Sequence, residues 1–196
     1  MKNYFFIIIF ILMLVYLILY NLIENIPISL HFFKKEEMVL TKKPWWERRS
    51  CYKKIVKKSE ENEYDKWRRE KSKNTTCGYK AWQQGHGQKI LSYTIYGNST
   101  MFWVGINHLL FTAKIKYPGW NVRIHVIANK FSKAIFCPLM EMHNNLHVCD
   151  VTSLPEPLGN ISTSLGKIWR FVPMADSMVD IMLSRDSDSM VSSNLS

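Results

Sequence analysis

An uncharged apolar run near the amino terminus is the feature that most constrains this chain. Residues 4–20 read YFFIIIFILMLVYLILY, and the run extends past Asn21 to residue 23. At about 1.5 Å of rise per residue, a helix of this length spans about 30 Å of hydrocarbon. A cleaved signal peptide, the alternative, has a shorter apolar core and a cleavage site with small residues, which does not follow here. We therefore predict an uncleaved transmembrane signal anchor at residues 4–23, preceded by a cytoplasmic tail at residues 1–3.

Glycan acceptor sequences lie beyond this run and indicate the compartment of the remaining chain. Four Asn-x-Ser/Thr sequons begin at Asn74, Asn98, Asn160 and Asn194. Such sequons are typical of surface loops in proteins of the secretory pathway. We therefore expect a single-pass type II membrane protein of the Golgi or endoplasmic reticulum, with a lumenal carboxyl terminus. In that compartment the protein meets no nucleic acid.

The cysteines indicate the same compartment. Their number is even, none belongs to a Cys-x-x-Cys pair, and all follow the apolar run: Cys51, Cys77, Cys137 and Cys149. In an oxidising lumen this predicts two disulfides, for which three pairings are possible. Our hypothesis is that sequence neighbours pair, as 51–77 and 137–149. Four buried free thiols are the alternative.

The formal net charge of +10 is unevenly distributed along the chain. Residues 34–73 contain most of the excess of Lys and Arg over Asp and Glu. Mixed charge and weak periodicity between residues 24 and 87 predict a solvated lumenal stem, with some helix around residues 56–71.

From residue 88 onward, strand-like and helical periodicities alternate. Strand-like runs cover four segments: 89–97, 121–127, 146–151 and 179–183. Helical periodicity covers three segments between them: 102–117, 131–142 with an interruption at Pro138, and a stretch from 166 that breaks at Pro173. Alternating strands and helices favour an α/β fold with a mainly parallel sheet. We therefore predict one folded domain at residues 88–196.

Two aspartates follow the fourth predicted strand. Asp186 and Asp188 are separated by one residue, so in an extended segment their side chains point to the same side. Ligands of open parallel sheets bind beyond the carboxyl ends of the strands. Two neighbouring carboxylates repel each other unless they share a hard divalent cation such as Mg²⁺ or Mn²⁺. The pair therefore predicts a metal site that holds a diphosphate.

This pattern resembles the first half of a GT-A glycosyltransferase domain, a class that uses nucleotide sugars. Four segments carry the resemblance: KILSYTIYG at 89–97, YPGW at 117–120, WRF at 169–171 and RDSDS at 185–189. The single anchor, the stem and the lumenal body also match the layout of Golgi enzymes of this class. The resemblance covers roughly residues 88–190. It implies metal-dependent transfer of a sugar, from a donor such as a UDP-sugar to a glycan, protein or lipid acceptor.

The resemblance also implies roles for individual residues. Asp188 would be the principal ligand of Mn²⁺ or Mg²⁺, and Asp186 would contact the metal through water or bind the nucleotide ribose. Tyr93 or Tyr96 would stack on the base. Arg170 would face the phosphates, with an ion pair on a helix surface as its alternative role. The sequence identifies no catalytic base.

Only eight residues follow Asp188, whereas a GT-A domain continues with a second half that builds the acceptor site. We therefore expect a truncated form whose fourth strand lies at an exposed sheet edge. Whether such a chain is active by itself is left open by the sequence. The rival hypothesis is a non-catalytic, disulfide-stabilised lumenal membrane protein, in which the aspartates belong to a polar loop or to a structural metal site.

Overall fold

A computed structural model describes residues 36–69, 75–97 and 101–186. The chain divides into two units, Met1–Glu36 and Glu37–Ser196, and all described residues except Glu36 belong to the second. The predicted anchor at residues 4–23 lies outside the described residues. In the part of the chain that is described, no helix is both long enough and apolar enough to span a membrane.

Residues 37–87, predicted as part of a stem, contain regular structure. Its elements are strand β1 (Met38–Leu40), strand β2 (Ile55–Lys57), helix α1 (Lys58–Arg69) and helix α2 (Tyr79–Trp82). The two strands form an antiparallel ribbon in which Val39 is opposite Val56. Trp45 and Cys51 are buried in the same hydrophobic core as the central sheet. This part of the chain therefore folds together with the residues that follow it, because its apolar side chains complete their core.

Four parallel strands form the central sheet. They are β3 (Gln88–Thr94), β4 (Asn121–Val126), β5 (Leu146–Asp150) and β6 (Val179–Ser184). Their order is β5-β4-β3-β6, and every neighbouring pair is parallel. The chain thus adds two strands on one side of β3 and then crosses to its other side. The predicted α/β fold with a mainly parallel sheet is confirmed.

Three helices follow β3 and β4: α3 (Met101–Val104), α4 (Ile106–Lys116) and α5 (Lys130–Met142). The single helix predicted at residues 102–117 is divided at Gly105, a residue with low helix propensity. Helix α5 begins with a capping box, in which the Asn129 side chain accepts from the backbone N–H of Ser132 at 2.9 Å.

Pro138 lies inside α5 and does not interrupt it. A proline in a helix removes one backbone hydrogen bond and clashes with the preceding turn. The helix continues because one side of it is anchored in the core through Phe136, Leu139 and Met140, all buried. Cys137 adds a covalent link on the same turn. The predicted interruption is therefore wrong, since tertiary packing outweighs the local cost of the proline.

The segment before β6 also differs from the prediction. Gly166–Ala175 forms a 3₁₀ helix that runs through Pro173, where we predicted a helix broken at the proline. Trp169 is buried, and its indole N–H donates to Oγ of Ser164 at 3.0 Å. Ten residues is long for a 3₁₀ helix, and packing on the sheet supports it.

The two faces of the central sheet differ in polarity. One face packs apolar side chains against α4 and α5; they include Leu91, Tyr93, Val122, Ile124, Leu146 and Val148. The alternate positions of the same strands carry buried polar side chains on the opposite face: Gln88, Ser92, Thr94, Arg123, His125 and His147. The 3₁₀ helix lies against this polar face, where two β3 hydroxyls donate to its backbone carbonyls.

Two disulfides are present, as predicted, but their pairing differs from our hypothesis. Cys51 is bonded to Cys137, and Cys77 is bonded to Cys149. The neighbour pairing 51–77 and 137–149 is therefore wrong. Cys51 and Cys137 lie in the apolar core, whereas Cys149 points to the polar face of the sheet. Each bond thus joins the segment before residue 88 to the sheet or to α5, because the fold places those residues together.

Candidate functional site

The strand order reverses between β3 and β6, and the region beyond the carboxyl ends of these two strands is called the crevice below. The chain leaves β3 in one direction toward β4, and β6 occupies the other side of β3. In open α/β sheets, such a reversal of strand order leaves a gap between the connections, and ligands bind there. Residues 95–97 follow β3 at this edge of the sheet, and residues 185–186 follow β6. Gly97 turns the chain with a φ of 75°, in the region that favours glycine.

Arg170 and Asp186 meet at this crevice as an ion pair. Arg170 belongs to the 3₁₀ helix, and Asp186 is the second residue after β6. The arginine side chain is 17% exposed, whereas that of Asp186 is 59% exposed, so the carboxylate is the more accessible partner. Within the described residues, Nε of Arg170 has no hydrogen-bond partner. The pair therefore offers a planar cation and an accessible carboxylate at one place.

Two hydroxyl groups of β3 hold the helix that carries Arg170. Oγ of Ser92 donates to the carbonyl oxygen of Arg170 at 2.7 Å, and Oγ1 of Thr94 donates to that of Gly166 at 3.1 Å. Sequence analysis did not single out Ser92 or Thr94. Their signal is the placement of two hydroxyl residues at alternate positions near the carboxyl end of a buried strand.

Tyr96 lies beside the same helix. Its ring packs edge-on against Trp169, with ring centroids 6.4 Å apart. A Cβ atom on Gly166 would lie 2.6 Å from Cγ of Tyr96, so only glycine allows this approach. Tyr96 therefore lies against the same 3₁₀ helix that carries Arg170, the partner of Asp186.

Tyr93, the other tyrosine that we considered for the base, lies elsewhere. Its side chain points to the apolar face of the sheet and is fully buried. Burial raises the pKa of its hydroxyl group to about 12, and the Arg185 charge opposes that shift. Within the described residues, this hydroxyl has no hydrogen-bond partner. Tyr93 therefore belongs to the core in this conformation.

Arg185 anchors the end of β6. Its backbone N–H donates to the carbonyl oxygen of Ser92 at 3.0 Å, and its Nη2 donates to the Tyr117 hydroxyl at 3.1 Å. This arginine therefore points toward Tyr117, whereas the next residue, Asp186, pairs with Arg170. The two bonds of Arg185 hold the strand end in place and so position Asp186.

Asp188 lies outside the described residues, so the predicted pair of carboxylates is described only in part. Within the described ranges, no group of three or more His, Cys, Asp and Glu side chains converges on one point. Mg²⁺ binds proteins through as few as one or two carboxylates, together with substrate phosphates and water. The carboxylate of Asp186, whose side chain is 59% exposed, fits that donor chemistry.

Comparisons with known proteins do not identify relatives of this chain. Protein-family models, curated proteins and solved structures gave no match. Function is therefore inferred from the crevice and its residues.

Proposed function

We propose that the crevice between β3 and β6 binds a nucleotide-diphosphate sugar together with Mn²⁺ or Mg²⁺. The observation that carries this proposal is the Arg170–Asp186 pair at the point where the strand order reverses. A guanidinium group binds phosphate oxygens in a planar, forked geometry, and a carboxylate is a ligand for a hard divalent cation. Arg170 therefore complements the negative charge of a metal-bound diphosphate, and Asp186 complements the positive charge of its metal ion.

Each residue of the crevice has a role in this proposal. Arg170 exchanges its bond with Asp186 for the diphosphate. Asp188 is the principal ligand of the cation, and Asp186 contacts the cation through water or binds the nucleotide ribose. Tyr96 offers a ring beside the nucleotide. Ser92 and Thr94 hydrogen-bond the 3₁₀ helix to the sheet and so fix the position of Arg170 relative to β3. When bound, the cation stabilises the negative charge that develops on a departing diphosphate.

The activity that such a site serves is transfer of a sugar from the nucleotide to a glycan, protein or lipid acceptor. We propose this activity for a lumenal domain of GT-A type in the Golgi or endoplasmic reticulum, anchored through residues 4–23. The predicted anchor and the sequons support that location.

A second candidate function is a non-catalytic, disulfide-stabilised lumenal protein. The two disulfides are compatible with it. In that case the Arg170–Asp186 pair is a structural ion pair that joins the 3₁₀ helix to the end of β6. The two candidates differ in one measurable property, which is metal-dependent binding of a nucleotide diphosphate.

Calorimetric titration of UDP into the full chain, purified in detergent with and without Mn²⁺, tests the proposal. We expect binding that requires Mn²⁺ and becomes at least tenfold weaker in both Asp186→Asn and Arg170→Gln. Asp180→Asn is the matched control, because Asp180 is exposed on β6, the strand that leads to Asp186. A folded chain that binds no UDP, or a control that loses as much affinity as Asp186→Asn, would refute the nucleotide site and favour the non-catalytic protein.

A further inference from the structure

A second concave surface lies in the segment that we predicted to be a stem. Its volume is about 670 Å³, and its walls come from the β1–β2 ribbon, α1, α2 and the turn at Trp45–Glu47. Six cationic side chains line it: Lys43, Arg48, Arg49, Lys53, Lys57 and Lys80. Three carboxylates line it as well, those of Glu47, Glu60 and Glu63. Five of the fifteen Lys and Arg residues between positions 34 and 73 therefore line one cavity, together with Lys80.

Two of the three carboxylates are already engaged. Oε2 of Glu47 accepts a hydrogen bond from the backbone N–H of Lys80 at 2.8 Å. Desolvation raises the pKa of Glu47 to about 7, so this group carries only part of a negative charge at neutral pH. The side chain of Glu63 is hydrogen-bonded to Tyr79. The six cations of the lining thus outnumber its three carboxylates, one of which is only partly ionised.

The cationic side chains of the cavity differ in burial and in hydrogen bonding. Lys43 is only 6% exposed, and its ammonium group lies 4.8 Å from the ring centroid of Tyr79 and 5.4 Å from that of Tyr64. Nε of Arg48 donates to the carbonyl oxygen of Lys43 at 2.8 Å, which fixes the direction of the guanidinium group. Among the described residues, no hydrogen bond or ion pair engages the side chain of Arg49 or Lys53. One cation is thus buried, one is oriented and two are unpaired.

We propose that this cavity binds a small polyanion that carries sulfate or phosphate esters, through Arg48, Arg49 and Lys53, with Lys43 as the buried cation. Its volume lies within the range of small-molecule sites, about 300–1,000 Å³. Guanidinium groups bind tetrahedral oxyanions in a forked geometry, and a concave basic surface raises the local concentration of anions. The ligand is either a sulfated sugar or a phosphorylated small molecule, since both present the same oxyanion chemistry. This site is separate from the crevice at β3 and β6 and does not depend on nucleotide binding there.

Titration of two probes into the full chain tests the proposal and separates the two ligand sources. The probes are a trisulfated heparin disaccharide and inositol hexakisphosphate, each measured by calorimetry at low and at moderate salt. The test variant replaces Arg48, Arg49 and Lys53 together with Gln. The matched control replaces Lys89, Lys114 and Lys130 with Gln, which removes the same charge from exposed positions outside the cavity.

We expect at least one probe to bind, with an affinity at least tenfold weaker in the cavity variant and less than threefold weaker in the control. A probe that binds and loses affinity in the cavity variant identifies its ester as one that the cavity accepts. Equal losses in the two variants would overturn the proposal, because binding would then follow net charge alone. No binding by either probe at millimolar concentration would overturn it as well. Asp186→Asn is expected to leave polyanion binding unchanged, so a loss in that variant places the probe in the crevice and refutes the cavity.

Discussion

Arg123 and Asp176 form an ion pair in which neither side chain is exposed to solvent. Nη1 of Arg123 lies 2.5 Å from Oδ2 of Asp176. The same oxygen accepts the backbone N–H of Thr76 at 2.9 Å, and Nη2 of Arg123 donates to Oε1 of Gln88 at 2.8 Å. Burial raises the pKa of Asp176, but Arg123 and the backbone N–H groups outweigh burial, and the pKa lies below its ordinary value. This pair therefore links β4, the segment before α2 and the end of the 3₁₀ helix under the polar face of the sheet.

Asp176→Asn is expected to lower the free energy of unfolding by about 3–5 kcal/mol, because it leaves the Arg123 charge buried without a counter-charge. Urea unfolding followed by circular dichroism measures the change. Asp180→Asn, an exposed neighbour on β6, is expected to change the same free energy by less than about 0.5 kcal/mol. Equal unfolding midpoints for wild type and Asp176→Asn would show that the buried pair does not stabilise the fold.

The disulfide pairing predicts both a peptide map and a stability change. Non-reducing digestion is expected to yield peptides that join Cys51 to Cys137 and Cys77 to Cys149. The two bonds join residues that are 86 and 72 positions apart in the sequence, so each closes a long loop and restricts the unfolded chain. Replacing both Cys77 and Cys149 with Ala is therefore expected to cost about 2–5 kcal/mol of unfolding free energy. A map with neighbour-paired peptides would contradict the fold described here.

Two buried histidines predict that acid destabilises the protein. Burial lowers the pKa of His125 to about 3, and burial lowers that of His147 well below its usual value. Below pH 6.5 the unfolded chain takes up protons that the folded chain does not bind. The contribution of these histidines to the free energy of unfolding is therefore fully present above pH 6.5 and falls as the pH drops toward 3. His125 alone accounts for a fall of about 1.4 kcal/mol per pH unit.

Urea midpoints between pH 7.5 and 4.5 measure this effect. His125→Gln removes one titrating group and is expected to flatten the dependence on pH, even if it lowers the overall stability. His108→Gln, at an exposed position of α4, is expected to leave the dependence unchanged. If His125→Gln and wild type show parallel slopes, buried His125 is not the source of the acid sensitivity.

Gly78 is expected to tolerate no side chain. Its φ is +156°, and a Cβ atom there would lie 1.8 Å from Oε1 of Glu47. Because Glu47 accepts the backbone N–H of Lys80, a displaced carboxylate would also leave that donor without its partner. We expect Gly78→Ala to lower the melting temperature, at a cost of about 1–3 kcal/mol. Gly105→Ala is the matched control, since its Cβ would meet no atom within 4 Å, and it is expected to be neutral or slightly stabilising.

The strands and most helices of residues 88–186 follow from local periodicity. The four predicted strands agree with β3 to β6 to within three residues at each end, because each run has a buried face and a clear turn after it. The two proline positions, 138 and 173, were interpreted wrongly as breaks. From the sequence, each proline is expected to destabilise a helix. The structure shows that buried neighbouring side chains stabilise the helix by more than the proline costs.

The candidate site was predictable in part. The rule for strand ends indicated Asp186 and Asp188, and the resemblance indicated Arg170 and either Tyr93 or Tyr96. The choice between Tyr93 and Tyr96 required the structure, because it depends on which side of β3 each ring occupies. The roles of Ser92 and Thr94 also required it, since their partners lie more than 70 residues away.

Sequence pattern alone sufficed for the α/β class and the strand positions, because these depend on residues that are close together along the chain. It also sufficed for the presence of two disulfides, because that follows from an even number of cysteines in an oxidising compartment. It did not suffice for the disulfide pairing, for the folding of residues 37–87 onto the core, or for the convergence of basic side chains on one cavity. Those properties depend on contacts between residues far apart in sequence. Their free energies come from burial and ion pairing that exist only when the folded chain brings the partners together.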